Sequence, residues 1–443
     1  MREYTVGIYT LGCKVAQYES EAISERFESL GFTVLPFESV CDVYVINTCT
    51  VTAESDRKSR QFIRRAAKKN PEAIVLVTGC YSQRAPGEVA SIPGVCAVLG
   101  TDNKLTLPSV AKELLTAREK GEKIDTVMGV SSLEGAKFEQ MSITRAPRTR
   151  AYVKIEDGCD SKCTYCAIKE ARGRIRSKAP SDVIREVETL SEGGTREVVL
   201  TGIEIGAYGK DFDNPYGLAD LICELDRRGS CERIRIGSLA PELVNEEFIE
   251  KIKGCKILAP HFHISIQSGS DKILHLMKRR YTAKGALDVI ERIRESIPEV
   301  QFTTDIMVGF PSEGEEEFCQ TLEFVKSARL LDAHVFAYSR REGTAACYYD
   351  NQVEKRIKEE RSARLIALQE SIKREILDSL IKRGREMSAI VETLDGGYYT
   401  AHTASYVEVK IPEGDSECDL RAKMVKVRPV SQKDGVLICN LCK

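Results

Sequence analysis

Between residues 151 and 338 the chain repeats one pattern six times, a short apolar run followed by a helical stretch, at intervals of roughly 30 to 45 residues. The runs are Ala151–Ile155, Arg196–Thr201, Arg233–Ser238, His261–Gln267, Phe302–Val308 and Ala333–Tyr338. Strands separated by helices pair in parallel, because a parallel neighbour requires a crossover connection. Six such units predict a parallel barrel or partial barrel, with reactive groups at the C-terminal ends of its strands. The clearest intervening helix starts at Pro180-Ser181, with Val183, Ile184, Val187 and Leu190 on one face and Ser181 as the expected N-cap.

Just past the first of these strands lie Cys159, Cys163 and Cys166, in a CxxxCxxC spacing with Tyr165 before the last cysteine. Three thiolates this close can bind three corners of an iron–sulfur cube. No fourth cysteine follows in step, which leaves one iron open to a substrate. The alternatives are a zinc knuckle or three buried thiols, but zinc usually takes cysteine pairs and a fourth ligand. None sits nearby. The spacing resembles the signature of the radical-SAM superfamily, in which the open iron chelates S-adenosylmethionine (SAM) through its amino and carboxylate groups.

The first hundred residues also alternate strand and helix. Apolar runs at Thr5–Thr10, Val43–Asn47 and Ile74–Thr78 are separated by a helix over Gln17–Leu30 and a polar, basic one over Thr52–Lys69, which Asn70-Pro71 ends. This is a doubly wound α/β pattern, in which ligands gather outside the carboxyl ends of the strands. Cys13, Cys49 and Cys80 each fall one to three residues past a strand. They are expected to converge on one edge as a second three-thiolate site, the alternative being small apolar side chains filling the core rim. Cys41 and Cys96 lack that context and read as structural.

At 443 residues two or three domains are expected. A net charge of −2 argues against a generally basic nucleic-acid coat but leaves room for local patches. No apolar stretch approaches the roughly 20 residues that span a bilayer. Tyr4 enters a strand without a charged leader, so no secretory signal is expected. Sixteen cysteines in a chain of this kind read as metal ligands and scattered thiols, and the expected compartment is the cytoplasm. From about Asp102 to Arg150 the pattern weakens, and Arg145–Arg150 reads as a basic linker. A long charged helix from Gln352 to about Arg383 precedes four short strands at Met387–Val391, Tyr398–His402, Tyr406–Ile411 and Ala422–Val427, a small antiparallel barrel of a kind that often binds nucleic acid. The terminal pair Cys439 and Cys442 has no partner pair and reads as incidental.

With both triplets placed, the chain resembles the radical-SAM methylthiotransferases over essentially its whole length. Within them it is most similar to the MtaB type, which acts on N6-threonylcarbamoyladenosine beside the tRNA anticodon. The stretches carrying the likeness are 10–15, 201–209, 261–270 and 335–344. The resemblance implies a methylthiotransferase domain over 1–120, a radical-SAM (βα)6-type partial barrel over 145–350, a connecting helix over 351–384 and a TRAM barrel over 385–443. It also implies two [4Fe–4S] clusters, one on Cys13, Cys49 and Cys80 that carries sulfur and one on Cys159, Cys163 and Cys166 that reduces SAM. Tyr165 should lie against the SAM adenine. Thr201, Gly202 and Glu204 would stand near the methionine amino group, and Ser265, Gln267 and Asp305 near the ribose or carboxylate; each of these polar residues could equally be a satisfied barrel side chain. Three departures from the family pattern bear on rate and substrate contacts without removing a ligand: Ala16 for the usual asparagine, Lys169-Glu170 for Pro-Tyr, and Ile175 for glutamate.

The partners implied are tRNA, a flavodoxin-type reductant and a sulfur source. Phosphate contact needs local positive charge. Arg57, Lys58, Arg60, Arg64, Arg65, Lys68 and Lys69 crowd one helix, Arg172, Arg174, Arg176 and Lys178 follow the second triplet, and Lys278, Arg279 and Arg280 cap another helix. A solvated charged face is the alternative for each run. An isopentenylated adenosine or a ribosomal-protein aspartate is the alternative substrate. A non-catalytic iron–sulfur RNA-binding protein is the alternative class.

Overall fold

A computed structural model of the protein describes residues 3–146, 149–416 and 418–442; Pro147 and Arg148 of the basic linker lie outside the described residues. The chain opens with a parallel sheet of β1 (Tyr4–Thr10), β2 (Phe32–Leu35), β3 (Val43–Thr48), β4 (Ile74–Gly79), β5 (Val95–Leu99) and β6 (Val127–Gly129), in the order β2-β1-β3-β4-β5-β6. Every residue of β3 and β4 is buried, as continuous Val/Ile runs require when helices cover both faces. Val43, Val45 and Leu76 pack with Ile23, Phe27 and Leu114 on one side, and Tyr44, Ile46 and Val77 with Ile63 and Ala66 on the other. The expected strands are all present. The sheet gains β2, β5 and β6, and it runs past residue 120.

The middle unit holds β7 (Arg150–Lys154), a short antiparallel pair β8 (Glu156–Asp157) and β9 (Arg176–Ser177), then β10 (Glu197–Thr201), β11 (Arg233–Ile236), β12 (Ser238–Leu239), β13 (His261–Gln267), β14 (Gln301–Val308) and β15 (Asp332–Ala337). Its parallel strands form two sheets, β11-β10-β7 and β12-β13-β14-β15. The chain passes between them at Gly237, and an Ile234–Leu258 bridge lies beside that seam. The run expected at Arg233–Ser238 is therefore two strands, and the barrel is partial. The helix Pro180–Glu192 has Ala179 as its N-cap with Pro180 in the first turn, so Ser181 lies inside the helix and does not cap it.

A helix over Lys355–Arg383 leads to a closed barrel of β16 (Met387–Asp395), β17 (Tyr398–Thr403), β18 (Glu408–Pro412), β19 (Met424–Lys433) and β20 (Val436–Leu441). Two features differ from the expectation. β20 is an additional strand, with Cys439 fully buried in its interior, and β20 pairs with β18 in parallel, so the barrel is not wholly antiparallel. Nor does it hang free. One apolar core runs from the middle unit through Leu365 and Leu377 of the long helix to Val391, Ala401 and Leu437. At the N-terminal ends of the middle strands, the ring of Tyr406 stacks on His261 at 4.5 Å, with the Arg235 and Arg150 guanidinium groups 4.9 and 5.6 Å from its centre. Tyr406 closes the end of the partial barrel opposite the cysteines.

Candidate active site

The order of the first sheet explains why its cysteines meet. The chain leaves β1 for β2 on one side and returns to β3 on the other, so a crevice opens at the carboxyl ends of β1 and β3. The register places Thr10 beside Asn47 and Thr48 beside Gly79, so the three cysteine loops start at adjacent strand ends. Gly12 (φ +121°) lies so close to Cys49 that a Cβ there would stand 3.3 Å from its sulfur. Gly79 (φ +102°) is pressed on the backbone of Thr48, where a Cβ would meet the carbonyl oxygen at 2.4 Å. Both glycines are needed for conformation and for space. Cys49 and Cys80 are buried and Cys13 is exposed. Burial pushes the Cys49 thiol up to about 11, and the sulfurs of Cys80 and Cys13 push it the same way, a sign of their proximity. Ala16 turns its methyl toward Gly12 while its carbonyl accepts from Asn47 Nδ2 at 3.0 Å.

The second triplet lies beyond the C-terminal end of β7. Gly158 (φ +89°) packs on Arg174, whose carbonyl oxygen would lie 1.9 Å from a Cβ, and the Cys159 N–H donates to the Gly173 carbonyl at 3.0 Å. The loop is pinned by the Thr164 N–H on the Met277 carbonyl and by the Ala346 N–H on the Thr164 carbonyl. Each sulfur receives one donor at 3.4 Å: the Ser161 N–H on Cys159, the Ile168 N–H on Cys166 and Arg279 Nη1 on Cys163. Burial pushes the Cys166 thiol up to about 12. Donors aimed at sulfur suit a thiolate or a cluster ligand. Among the described residues no group of three or more His, Cys, Asp and Glu side chains forms a site for a single metal ion. A cubane differs from such a site in giving each thiolate its own iron.

Beside this loop, Thr201 ends β10 and the chain wraps around the buried carboxylate of Glu156, which accepts the N–H groups of both Ile203 and Glu204 at 2.8 Å. A Cβ on Gly202 would stand 2.5 Å from that carboxylate. Glu156 is a positioning residue that sequence reasoning missed; a lone acidic residue after a strand carries no signal of the loop that will fold over it. Glu204 is half-buried near Cys159, and its Oε1, itself shielded from solvent, has no hydrogen-bond partner. Burial holds its carboxyl up at about 7 against the opposing pull of Arg279. An unpaired buried carboxylate oxygen fits a ligand ammonium group. Tyr165 packs edge-on to Phe310 at 6.5 Å in an apolar wall with Met277 and Tyr338. The Ser265 carbonyl accepts from Arg279 Nη2 and from the Tyr281 hydroxyl. Gln267 ends β13 at φ +66°, just after a bulge. Asp305 is engaged by His263 at 3.3 Å and His334 at 3.5 Å. Burial pushes its carboxyl up, but the two histidines outweigh that and hold it below its ordinary range.

The basic residues divide sharply. Arg57, Lys58, Arg64 and Arg65 are exposed on the helix Ala53–Lys69, whose N-cap Thr52 accepts the Ser55 N–H; Arg60 is half-buried and donates to the Tyr81 hydroxyl. Arg174 is exposed. Arg172 and Arg176, expected on an RNA-facing rim, are instead buried in ion pairs with Asp157, and Arg172 also with Glu19. Lys178 is buried against Glu186. These three cannot reach phosphate, because their position directly after the cysteine loop places them at the seam between the two α/β units. Arg279 likewise turns inward, to Cys163.

The comparisons follow this division of the chain. Residues 153–325 match the family model described as the Radical SAM superfamily, and residues 5–100 match that described as Uncharacterized protein family UPF0004. The chain is 40% identical over 430 residues to the threonylcarbamoyladenosine tRNA methylthiotransferase MtaB of Bacillus subtilis, covering 96% of this chain and 93% of the relative. It is 35% identical to the MtaB of Thermotoga maritima, with 98% and 97% covered. A tRNA-2-methylthio-N(6)-dimethylallyladenosine synthase of Carboxydothermus hydrogenoformans is 33% identical, with 99% and 100% covered. Among solved structures, the radical S-adenosylmethionine methyltransferase TsrM of Kitasatospora setae superposes with a TM-score of 0.56 at 15% identity over 78% of this chain and 77% of that one, which speaks to the fold alone.

Proposed function

The chain belongs to the radical-SAM methylthiotransferases, and from that premise we propose that it places a methylthio group on C2 of N6-threonylcarbamoyladenosine in tRNA. The observation that carries the substrate is the 40% identity, over nearly the whole of both chains, to a relative named for it. In this reading Cys159, Cys163 and Cys166 hold the [4Fe–4S] cluster that serves SAM, and Cys13, Cys49 and Cys80 hold a second one. Bound there, the two clusters and SAM supply one-electron chemistry at an unactivated aromatic C–H and a sulfur to insert.

The protein's own residues orient these groups. Glu204 receives the methionine ammonium with its unpaired oxygen, and Glu156 holds the Gly202–Glu204 loop in place for it. Tyr165 and Phe310 offer an apolar wall to the adenine. Arg279 braces the Cys163 sulfur and the Ser265 carbonyl together. Arg57, Lys58, Arg64, Arg65 and Arg174 remain exposed, Arg57 paired with Glu54 and Arg65 with Glu38, and are the cations assigned to the anticodon stem-loop, with a flavodoxin-type reductant and a sulfur donor as the remaining partners. Nucleoside analysis of tRNA from a strain lacking the protein tests the reading: the methylthiolated threonylcarbamoyladenosine should vanish and its unmodified precursor accumulate. Loss of the methylthiolated isopentenyl species instead would assign the chain to the second class of relatives.

A further inference from the structure

The seam between the first sheet and the middle unit buries more positive charge than it neutralises. Glu19 of the helix Lys14–Ser29 pairs with Lys104, with Lys154 at 2.9 Å and with Arg172 at 2.5 Å. Asp157 pairs with Lys154 at 2.8 Å and with Arg172 at 3.2 Å, and Arg176 stands 3.6 Å away at the margin. None of these first five side chains is more than 4% exposed. Glu139, half-buried, accepts the Leu105 N–H and lies near enough to Lys154 and Lys104 for their charges to act on it. Among the five most buried side chains three cations therefore face two carboxylates; Arg176 and Glu139 add one group of each sign at the margin, and burial pushes the adjoining Glu156 carboxyl up, toward its neutral form. A buried charge without a counter-charge is costly. The guanidinium of Arg172 gives both Nη groups to carboxylates and aims its remaining donor, Nε, at Cys80 Sγ, 3.2 Å away.

We propose that Arg172 is a positioning residue for the N-terminal iron–sulfur cluster, giving its Cys80 ligand a charge-assisted hydrogen bond and supplying the cation that balances the cluster. This rests on the second-cluster reading above. Three thiolates on an oxidised cube leave one net negative charge, which matches the surplus at the seam. A donor and a positive charge next to a ligand sulfur favour the reduced, more negative state, so Arg172 raises the reduction potential of that cluster. Arg172 also stands only six residues after Cys166, so one side chain ties a ligand of the N-terminal triplet to the loop carrying the other.

The test uses the full chain with C159A, C163A and C166A, which leaves only the N-terminal triplet, reconstituted anaerobically. Iron content, EPR spectrum and midpoint potential are compared for Arg172, R172K and R172Q. R172Q is expected to retain iron and to lower the potential by at least a tenfold change in equilibrium constant, about 59 mV for a one-electron couple. R172K, which keeps charge but loses the fork, should shift it in the same direction by less. An iron-loaded R172Q with unchanged potential and spectrum would reduce Arg172 to a strut of the seam and overturn the proposal. If R172Q fails to fold, R172K decides in the same way. Absence of iron from the parent with Arg172 intact would instead retire the second-cluster reading, and this proposal with it.

Discussion

Two residues carry separable consequences. Glu204 is held near 7 by burial, so at neutral pH about half of it is neutral, and only the ionised form pairs with an ammonium. The affinity of the reconstituted protein for SAM should therefore rise up to about tenfold from about pH 6 to about pH 7.5. In Glu204→Gln it should be weaker and flat over that range. Calorimetric titration with SAM under anaerobic conditions reads both, and a pH slope surviving in the variant would assign it to another group. Arg279 is different, since its donors go to the Cys163 sulfur, the Ser265 carbonyl and the Tyr281 hydroxyl, not to a carboxylate. Arg279→Gln should cut reductive SAM cleavage more than tenfold while the iron stays in place, because the loop has its own backbone anchors at Thr164. Arg279→Lys should recover part. Iron lost in step with activity would mean that Arg279 holds the loop and does not tune it.

At the level of elements, the cysteine loops depend on glycines that admit no side chain. Gly158→Ala would add a Cβ in a left-handed conformation, 1.9 Å from the Arg174 carbonyl oxygen, and the loop could not close. The reconstituted variant should hold about four of the about eight irons expected for two clusters. Iron analysis beside a circular-dichroism melt distinguishes this from global unfolding, since Gly158 itself contributes no side chain to an apolar core. The basic helix Ala53–Lys69 is also fixed at its N-terminal end. Thr52 caps it, and Arg341 of the middle unit pairs with Asp56 in its first turn at 2.7 Å while donating to the Thr50 carbonyl and hydroxyl. Its exposed cations are thus presented at a defined angle to the cysteine edge.

At the scale of the whole molecule, the C-terminal barrel is a wall of the catalytic unit as well as the surface we propose for RNA. Arg233 donates to Ser388, Arg235 to the carbonyls of Ala404 and Thr403, and Arg150 pairs with Glu392 at 2.5 Å. Tyr406, held at φ +69°, fills the end of the partial barrel between them. Removing the chain from Glu386 onward would lay bare Glu197 and its arginines, so the truncated protein should melt lower and lose SAM cleavage along with tRNA affinity. Tyr406→Ala alone should cost about 2 kcal/mol through the lost stacking and cation–π contacts. Lys423, Lys426 and Arg428 are exposed on and beside β19. Their joint replacement by alanine should leave melting and cleavage unchanged, weaken tRNA binding and flatten its salt dependence. Equal effects of the truncation and the triple variant on stability would refute the role of Tyr406.

Much of this was legible in one dimension. Apolar runs such as Val43–Thr48 and Ile74–Gly79 announce parallel strands because they are buried on both faces, and a cysteine after a strand end is carried to the sheet edge by topology alone. The same reading missed β2 and β6, short strands at the two edges of the sheet, the five-residue buried β5, and β20, whose apolar alternation is brief. It also assigned Arg172, Arg176 and Lys178 to solvent, since charge in sequence carries no sign of the partner that will bury it. Glu19 lies 153 residues from Arg172, and Glu156 meets a loop 47 residues on. The local pattern of the sequence determined which segments become strands and which cysteines stand at their ends. Only the packing of one unit against another decided which charges stay at the surface and which are buried beside the cysteines, because that choice depends on desolvation at contacts between residues far apart in the chain.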